Sequence, residues 1–401
     1  MKKIEIKNGT LWAGDSAEVL KQYPDNHFDS VVTDPPYGIE FLGKDWDNNT
    51  GAIEVWKQCL RVLKPGGYML AFSSARTYHR LATNLEDIGF EIKDQLMWLY
   101  GSGFPKSQDV GKKINKVNNK PNNEWFGWGT NLKPAHEPIV MVKKPINQAI
   151  FKNVLEYGTG AINIDASRLP SEEWTNHANK KNANGGEITG KWVEWTPEQE
   201  LTSAEAVDYE NKALLNTEGR FPSNVIISEE VGNDLDEKIG VKKYGNKKGG
   251  YKYDKTYNVE GFINNNKPDA PSNYGDGGGP SKYFYCPKVN RKERNIGFDL
   301  DKIPTWNPSG GYNNETGEDM RKQLTKDRQG IANNHPTVKP TELMKYLVTL
   351  ITPPNGKVLD PFNGSGSTGM AVKEFGGEYV GIDLDENYID ISNKRINAWS
   401  K

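Results

Sequence analysis

Residues 360–369, with the sequence DPFNGSGSTG, constrain the fold more than any other stretch of the chain. They follow a short run, 357–359, that reads as the end of a buried strand, and they precede a segment with helical spacing of apolar residues. A second apolar run, 379–382, ends at Asp383. This order of strand, glycine turn, helix, strand and acid is typical of a nucleotide-binding βαβ unit, and Gly364, Gly366 and Gly369 fit its GxGxxG pattern. Asp383 lies about 20 residues past the first glycine, where ribose hydroxyls are bound. The segment therefore predicts a site for an adenosine-containing ligand.

Asp360 argues against a dinucleotide as the ligand of this site. A carboxylate at the mouth of the glycine turn repels a diphosphate but attracts a cation, such as the amino group and sulfonium of S-adenosylmethionine. Only about 30 residues follow Gly369, too few for the remaining strands of a doubly wound sheet, so those strands must come from earlier in the chain. A glycine turn that binds no ligand is the structural alternative.

A second motif, Asp34-Pro35-Pro36-Tyr37, follows the buried strand predicted at 29–33. Two consecutive prolines cannot continue a strand ladder or readily enter a helix, so they fix a loop at the carboxyl end of that strand. Open α/β sheets bind their ligands at this end. A rigid Pro-Pro turn without function is the alternative, and the flanking acid and tyrosine make it the less economical one.

Strands and helices alternate through the first part of the chain. Strands are predicted at 10–13, 29–33, 68–73, 90–99 and 137–142, and helices at 16–20, 53–63 and 78–88, the second ending at Pro65-Gly66-Gly67. This alternation predicts βαβ units and a mostly parallel sheet. From about 145 to 334 the pattern ends, apart from short apolar runs at 224–227 and 282–285. Order returns at His335 with a helix that ends at Pro353-Pro354, and the chain closes with a helix through Ile389 and Ile396.

Charge is balanced over the 401 residues, with a formal net charge of −2, but it is unevenly distributed. Residues 172–237 carry 15 acidic and 5 basic side chains, whereas residues 238–292 carry 12 basic and 4 acidic ones. The basic stretch interleaves lysines with tyrosines, a combination that suits contacts to phosphates and bases. A solvated flexible loop is an equally good interpretation of the basic stretch, and a solvated acidic surface is the simpler interpretation of the acidic one.

Several classes of site are excluded. Cys59 and Cys286 are too few and too far apart for a disulfide framework or a zinc site, and the five histidines have no metal-ligand spacing, so no metal is predicted. No signal peptide follows Met1, and no apolar run is long enough to span a membrane, so a cytoplasmic protein without a membrane partner is expected.

Taken in chain order, these motifs resemble the amino-methyltransferases of DNA in their permuted, beta-class arrangement. The likeness covers about 1–145 and 333–401 and includes Gly14-Asp15, Asp34–Tyr37, His335–Pro340, the glycine motif and Gly381-Ile382-Asp383. Residues 98–107 also resemble a phage- and mobile-element-associated branch of that family. The resemblance implies a Rossmann-like S-adenosylmethionine-dependent methyltransferase fold with a circularly permuted, mostly parallel seven-stranded sheet. It divides the chain into a catalytic half (1–145), a target-recognition insertion (146–332) and a cofactor-binding half (333–401).

The resemblance implies methyl transfer from S-adenosylmethionine to the exocyclic N6 of an adenine flipped out of double-stranded DNA. N4 of cytosine is the close alternative, and an RNA methyltransferase or a catalytically silent DNA-binding protein are more distant ones. Cytosine-C5 chemistry is rejected because it needs a Pro-Cys nucleophile, and this chain has only the reversed pair Cys286-Pro287. A dehydrogenase is disfavoured by Asp360 and by the chain order. A separate restriction endonuclease, and a monomer or a homodimer, remain open.

The catalytic residues expected from chemistry and resemblance are Asp34, Pro35, Pro36 and Tyr37. Spacing assigns Asp383 to the ribose, and the methionine end of the cofactor is expected against Asp360, Phe362, Gly364 and Gly366. The resemblance alone adds Asp15 at the adenine end, and Thr337 and Lys339 at the methionine end. A helix-capping acid is the alternative for Asp15, and a surface lysine for Lys339. Trp125, Phe126 and Trp128 are candidates for holding opened DNA, although tryptophans more often serve packing.

Overall fold

The structure is a computed structural model, and it describes residues 1–39, 47, 49–101, 103, 107–118, 123–169, 220–240, 281, 284–285, 291–298, 333, 335 and 338–400. Thr337, Cys286 and the lysine- and tyrosine-rich residues 241–280 lie outside this set. So does most of the acidic stretch, residues 172–219.

A nine-stranded sheet organises the described part of the chain. Its strands are β1 (Lys2–Ile6), β2 (Gly9–Ala13), β3 (Phe28–Thr33), β4 (Leu63–Phe72), β5 (Glu91–Leu99), β6 (His136–Lys143), β7 (Val225–Ile227), β8 (Lys357–Asp360) and β9 (Glu378–Asp383). Their order across the sheet is β1-β2-β9-β8-β3-β4-β6-β5-β7. The run from β2 to β4 is parallel throughout, β5 is parallel to β7, and the pairs β1–β2, β4–β6 and β5–β6 are antiparallel.

This sheet confirms the predicted α/β class and its mostly parallel character, with β1 and β7 added at the edges of the expected seven strands. The two C-terminal strands, β8 and β9, lie between β2 and β3. The prediction that the missing strands come from earlier in the chain is therefore confirmed. Interleaving the two ends of the chain in one sheet brings the glycine motif beside the Asp34 motif.

Helices and short turns connect the strands. They are Ser16–Leu20, Ile53–Val62, Tyr78–Ile88, Val110–Asn118, Ile150–Tyr157, Glu229–Ile239, Arg291–Arg294, Thr341–Ile351, Ser367–Phe375 and Glu386–Ala398, with a 3₁₀ turn at Asp165–Ser167. Within the described residues, none of these helices is both long and apolar enough to cross a membrane.

The core lies on both faces of the sheet, because the central strands are buried on both sides. In β3, Val31 belongs to one buried cluster and its neighbour Val32 to the other, as alternation of side chains along a strand requires. One cluster joins the sheet to the helices Ser16–Leu20, Ile53–Val62 and Tyr78–Ile88. The other joins it to Thr341–Ile351, Ser367–Phe375 and Glu386–Ala398. Burial on both faces is typical of parallel sheets.

Several features differ from the sequence-based prediction, among them the unpredicted strand β1 and the unpredicted helices Val110–Asn118 and Glu229–Ile239. Pro65-Gly66-Gly67 lies inside β4, which begins at Leu63, and the β3–β4 register shifts at this point to accommodate it. The helix Ile150–Tyr157 lies in a region predicted to be irregular. The short run at Val225–Ile227 does not stand apart from the main fold; it pairs with β5 as the edge strand β7.

By its internal contacts the chain divides into two compact units. One comprises Met1–Ser167, Ser223–Val231 and Tyr285–Lys401, and the other comprises Arg168–Pro222 and Gly232–Phe284. Residues 146–167 and 223–231 thus pack with the sheet. In the second unit, Leu169 and Arg220 form a two-residue bridge, and Asp236 accepts hydrogen bonds from Ser281. The functional division at 145 and 332 stays a prediction.

Candidate active site

Four acidic side chains follow four neighbouring parallel strands. Asp15 follows β2, Asp383 ends β9, Asp360 ends β8 and Asp34 follows β3. Because these strands are parallel, their carboxyl ends share one edge of the sheet, where open α/β folds bind ligands. All four residues line one cavity with a volume of about 1540 Å³. The cavity thus joins the two motifs that the sequence separates by more than 300 residues.

The Asp34 loop is held rigidly by groups from elsewhere in the chain. The Asp47 carboxylate, which is buried, accepts hydrogen bonds from the backbone N–H groups of Tyr37 (2.5 Å), Gly38 (2.9 Å) and Ile39 (3.2 Å). The Thr77 hydroxyl donates to the Tyr37 carbonyl at 2.5 Å. With two prolines already restricting the backbone, these bonds fix the position of the loop before any ligand arrives.

Lys339 lies against Asp34. Its Nζ donates to Asp34 Oδ2 at 2.6 Å and to the Tyr37 hydroxyl at 3.1 Å, and it lies 3.4 Å from Glu137 Oε2. The side chain is 7% exposed, with the Phe72 ring 4.9 Å from its nitrogen. Lys339 is therefore not a surface lysine, and its direct partner in this structure is the catalytic candidate.

Titration behaviour follows from this clustering. Burial acts to lower the pKa of Lys339, but the carboxylates of Asp34 and Glu137 outweigh it and the net pKa is raised, so the ammonium stays charged. Burial, with the same two carboxylates, raises the pKa of Tyr37 well above its ordinary value. The Tyr37 hydroxyl therefore keeps its proton, which lies within reach of Asp34 Oδ1 (2.8 Å) and Glu137 Oε2 (3.0 Å).

Asp383 holds the glycine loop, the turn within the motif at residues 360–369, by hydrogen bonds. One of its carboxylate oxygens accepts the Gly364 N–H at 2.8 Å, and the other accepts the Asp385 N–H at 2.9 Å. Burial nevertheless raises the pKa of Asp383 to about 6, because the protein desolvates the carboxylate. Gly364 has a φ of 50°, a conformation that glycine adopts without strain, and it lines the cavity.

Gly366 lies between two residues that line the cavity, Ser365 and Ser367, and its assignment to the methionine end of the cofactor stays a prediction. It caps the helix Ser367–Phe375 with a φ of 82°, and a Cβ there would lie 2.3 Å from the Ser392 hydroxyl. It packs against the helix Glu386–Ala398 and does not line the cavity. Its role in this structure is close packing of the turn.

Asp360 is 2% exposed and makes hydrogen bonds from both oxygens. Oδ1 accepts from the Thr33 hydroxyl at 2.6 Å and from the Phe362 N–H at 3.1 Å, and Oδ2 accepts from the Thr368 hydroxyl at 2.6 Å. Burial raises its pKa to about 6 in spite of these bonds, which lower it. Asp360 thus ties β8 to β3 and to the glycine-loop helix while it lines the cavity.

The remaining predicted residues divide into two groups. Pro35, Pro36, Tyr37 and Phe362 line the cavity, as does Asp15, which also caps the helix Ser16–Leu20 by accepting from the Glu18 N–H at 3.1 Å. Trp125, Phe126 and Trp128 do not line it; they are 41%, 42% and 60% exposed. They directly precede Thr130–Pro134, which does line the cavity.

Sequence reasoning missed four residues of this site: Asp47, Thr77, Glu137 and Arg395. Arg395 is fully buried in the helix Glu386–Ala398, where its guanidinium donates to the Ser365 carbonyl at 2.5 Å and to the Glu293 carbonyl. Its only local signal is a charge one turn after the buried Ile391, on the packed face of the helix. Burial lowers the pKa of Arg395 to about 10, which still leaves it charged at neutral pH.

Comparison with known proteins gives the family. The N6/N4 DNA methylase family model matches residues 28–394. The type II methyltransferase M2.LlaDCHI of Lactococcus lactis subsp. cremoris is 40% identical over 74 residues, 18% of this chain and 28% of that protein. The type II methyltransferase M.HindIII of Haemophilus influenzae is 24% identical over 200 residues, 38% of this chain and 64% of that protein. The chain thus spans less than two thirds of either relative.

Solved structures are similar at low identity. The PvuII DNA methyltransferase, described as cytosine-N4-specific, aligns with a TM-score of 0.44 and 14% identity over 97% of this chain and 86% of that chain. The M1.HpyAVI–SAM complex aligns with a TM-score of 0.39 and 15% identity over 96% of this chain and 98% of that one. The family model covers both the Asp34 motif and the glycine loop, and the chain therefore belongs to the N6/N4 DNA methylase family.

Proposed function

We propose that this protein transfers a methyl group from S-adenosylmethionine to the exocyclic N6 of adenine in double-stranded DNA. One observation carries the proposal. The Asp34 carboxylate and the carboxylate-lined glycine loop open into the same cavity, so an amine held by the first faces a ligand held by the second. N4 of cytosine remains the alternative, because both amines have the same hydrogen-bonding needs.

The residues present fit the cofactor. Asp15, Asp360 and Asp383 line the cavity with carboxylates, which suit a cationic ligand with ribose hydroxyls and disfavour a diphosphate. Phe362, which packs against Trp56 with ring centroids 5.3 Å apart, adds an apolar surface. We assign Asp383 to the ribose and Asp360 with Gly364 to the methionine end. S-adenosylmethionine supplies the methyl group when bound.

Asp34 and the Pro35 carbonyl act on the target amine. An exocyclic amino group is a poor nucleophile because its lone pair is delocalised into the ring, and it must become pyramidal to attack. Two acceptors can hold its two N–H groups in that geometry and stabilise the positive charge that develops on nitrogen. The bonds from Asp47 and Thr77 to the loop keep these acceptors in position, so little reorganisation is needed. The methylated amine, which is cationic once the new carbon–nitrogen bond has formed, then gives one proton to solvent and becomes neutral.

We propose adenine rather than cytosine as the target because the first residue of the Asp34-Pro35-Pro36-Tyr37 motif is an aspartate. In the family that the sequence resembles, aspartate at this position accompanies adenine more often and serine accompanies cytosine. A base inside a duplex cannot reach Asp34, so the proposal includes flipping the base at a cost of a few kcal/mol.

A transfer assay tests the proposed function. Purified protein is incubated with unmethylated bacterial DNA and methyl-labelled S-adenosylmethionine, and the DNA is digested to nucleosides for mass spectrometry. We expect label in N6-methyladenine. Label in N4-methylcytosine would leave the site and cofactor assignments intact and overturn the choice of base. No label on DNA, with the cofactor bound, would overturn the DNA methyltransferase assignment.

The order of the two motifs along the chain supports a permuted arrangement of the catalytic domain, which is a further part of the proposal. The catalytic motif precedes the cofactor motif by more than 300 residues, the order of the permuted, beta-class enzymes. We assign residues 1–145 and 333–401 to the two halves of the catalytic domain, 146–332 to target recognition, and the chain to the phage-associated branch. The named relatives are type II methyltransferases, which supports a link to restriction and modification.

We propose that the exposed aromatic residues before the cavity rim contact DNA beside the flipped base. Trp125 and Trp128 lie edge to face with centroids 5.2 Å apart, and Leu132 on the rim is 93% exposed. The preceding helix, Val110–Asn118, carries three lysines and no acidic residue. Stacking surfaces next to cations are the combination that single-stranded and distorted DNA requires.

Replacing Trp128 by alanine is expected to weaken DNA binding by about 5- to 100-fold, since stacking of one base contributes roughly 1–3 kcal/mol. Binding is measured by fluorescence anisotropy on labelled duplex fragments, with S-adenosylmethionine affinity as a second reading that should not change. Phe151→Ala is the matched control, because Phe151 is 56% exposed on a helix that does not line the cavity. Equal DNA affinity for Trp128→Ala and the wild type would remove this surface from the interface.

A further inference from the structure

A partly buried cluster of charges surrounds the Asp34 carboxylate, in which Lys339 is 7% exposed and contacts two acids that are each 20% exposed. The Lys339 ammonium lies 2.6 Å from Asp34 Oδ2 and 3.4 Å from Glu137 Oε2. The Tyr37 hydroxyl, which accepts from Lys339 at 3.1 Å, lies 2.8 Å from Asp34 Oδ1 and 3.0 Å from Glu137 Oε2, so its proton can be donated to either acid. Glu137 comes from β6 and Lys339 from the segment before the helix Thr341–Ile351, so three distant parts of the chain meet here.

We propose that Glu137 and Lys339 form a positioning pair for Asp34. Glu137 holds the lysine ammonium, and the ammonium holds the Asp34 carboxylate in one orientation. The inference rests on the proposed function, because it names how the amine-binding carboxylate is prepared. It also gives Lys339 a different role from the cofactor contact that the sequence resemblance implies.

Hydrogen-bonding capacity supports this role. Each carboxylate oxygen has two lone-pair positions, and Lys339 and Tyr37 each use one, on different oxygens of Asp34. Both oxygens therefore retain capacity for an N–H group of the target amine. Two fixed donors also stop the carboxylate from rotating, so it need not be ordered when the base arrives.

The net charge of the cluster suits the chemistry. Two carboxylates and one ammonium leave it with an excess negative charge, which favours the positive charge that develops on the amine. Without Lys339, two carboxylates would lie close together at low exposure, and such pairs tend to retain a shared proton. A protonated Asp34 would offer a donor where the reaction needs an acceptor. Two other titratable groups lie near the cluster. Burial, with a contribution from the Glu137 charge, raises the pKa of Tyr100 to about 12, and burial, with a smaller contribution from the Asp34 charge, raises the pKa of Asp360 to about 6.

Paired substitutions with opposite electrostatic signs test the proposal. Lys339→Met removes the cation next to the amine-binding carboxylate, so the acid limb of the pH–rate profile should move to higher pH. Glu137→Gln removes a second negative charge near Asp34, so the acid limb of the pH–rate profile should move to lower pH or stay unchanged. We expect kcat to fall by about 10- to 100-fold in both variants, because each loosens the positioned carboxylate. Lys339→Arg, which keeps a cation, should restore the wild-type acid limb.

Cofactor affinity distinguishes this role from the alternative. S-adenosylmethionine binding by calorimetry should stay within about twofold of the wild type in Lys339→Met if the lysine acts through Asp34. A large loss of cofactor affinity with an unmoved acid limb would overturn the proposal, and so would acid limbs that shift in the same direction in both variants.

A measurement that does not require methyl transfer can test this inference independently of the proposed function. The Asp34 carboxyl carbon can be followed by ¹³C NMR during a pH titration of the wild type, Lys339→Met and Glu137→Gln, with Asp34→Asn for assignment. The midpoint should rise in the first variant and not in the second, even if no methyl transfer to DNA is found. An unchanged midpoint in Lys339→Met would end the proposal.

Discussion

Replacing Asp34 by asparagine is expected to lower methyl transfer by about 10²- to 10³-fold, the loss that follows removal of one pre-positioned group that stabilises developing charge. Asparagine keeps the shape of the side chain, so the loop should stay in place through Asp47 and Thr77. However, it carries no charge, and its NH₂ arm is a donor where the target amine and Lys339 both require an acceptor. Single-turnover transfer to DNA measures the effect directly.

Cofactor binding and stability are the controls for this variant. Calorimetry should give an unchanged affinity for S-adenosylmethionine, because Asp34 follows β3 while the cofactor is assigned to the ends of β2, β8 and β9. Asp87→Asn is the matched substitution, since it changes an exposed aspartate on the helix Tyr78–Ile88 of the same unit and should be neutral. Retention of wild-type transfer by Asp34→Asn would exclude Asp34 as the amine acceptor and with it the proposed mechanism.

Site residues that lie at the carboxyl ends of strands could be predicted from the sequence. The placement of Asp34, Asp360 and Asp383 follows from local rules, because each lies at the carboxyl end of an apolar run whose neighbours read as parallel strands. The helices Ser16–Leu20 and Tyr78–Ile88 agree with the predicted bounds for the same reason. Periodicity of apolar residues reports the main-chain path wherever burial is strong.

Residues that act through long-range contacts could not be predicted in this way. Glu137 reaches Tyr37 across 100 residues, and Lys339 reaches Asp34 across 305, so no local pattern records either pair. Arg395 carries a charge on a buried helix face, which apolar periodicity alone would assign to a hydrophobic residue. The strand β4 contains Pro65-Gly66-Gly67, and only the register shift against β3 permits a continuous strand there.

Replacing Asp360 is expected to have a second large effect, in which the stability of the fold increases while the affinity for S-adenosylmethionine decreases. Its pKa of about 6 in the folded protein lies above its ordinary value of 3.8, because burial disfavours the charged form. A carboxyl group with a raised folded pKa contributes stability below pH 4 that is lost as pH rises through 6. At neutral pH the ionised group therefore destabilises the fold by about 3 kcal/mol, at 1.36 kcal/mol per pH unit.

Asp360→Asn is accordingly expected to stabilise the protein at pH 7.5 while it weakens binding of S-adenosylmethionine by about 10- to 100-fold, the range for a lost hydrogen bond to a charged group. An amide with its oxygen toward Thr33 still accepts from the Thr33 hydroxyl and the Phe362 N–H, and the Thr368 hydroxyl can rotate to accept from the NH₂ arm. Thermal unfolding at pH 5 and pH 7.5 should give a Tm difference between variant and wild type that grows with pH, whereas Asp87→Asn should give a small and constant one. A variant that is less stable than the wild type at pH 7.5, or one that binds the cofactor normally, would contradict the assignment. The buried charge is explained if Asp360 serves the cation of the ligand, because proteins retain destabilising groups where function requires them.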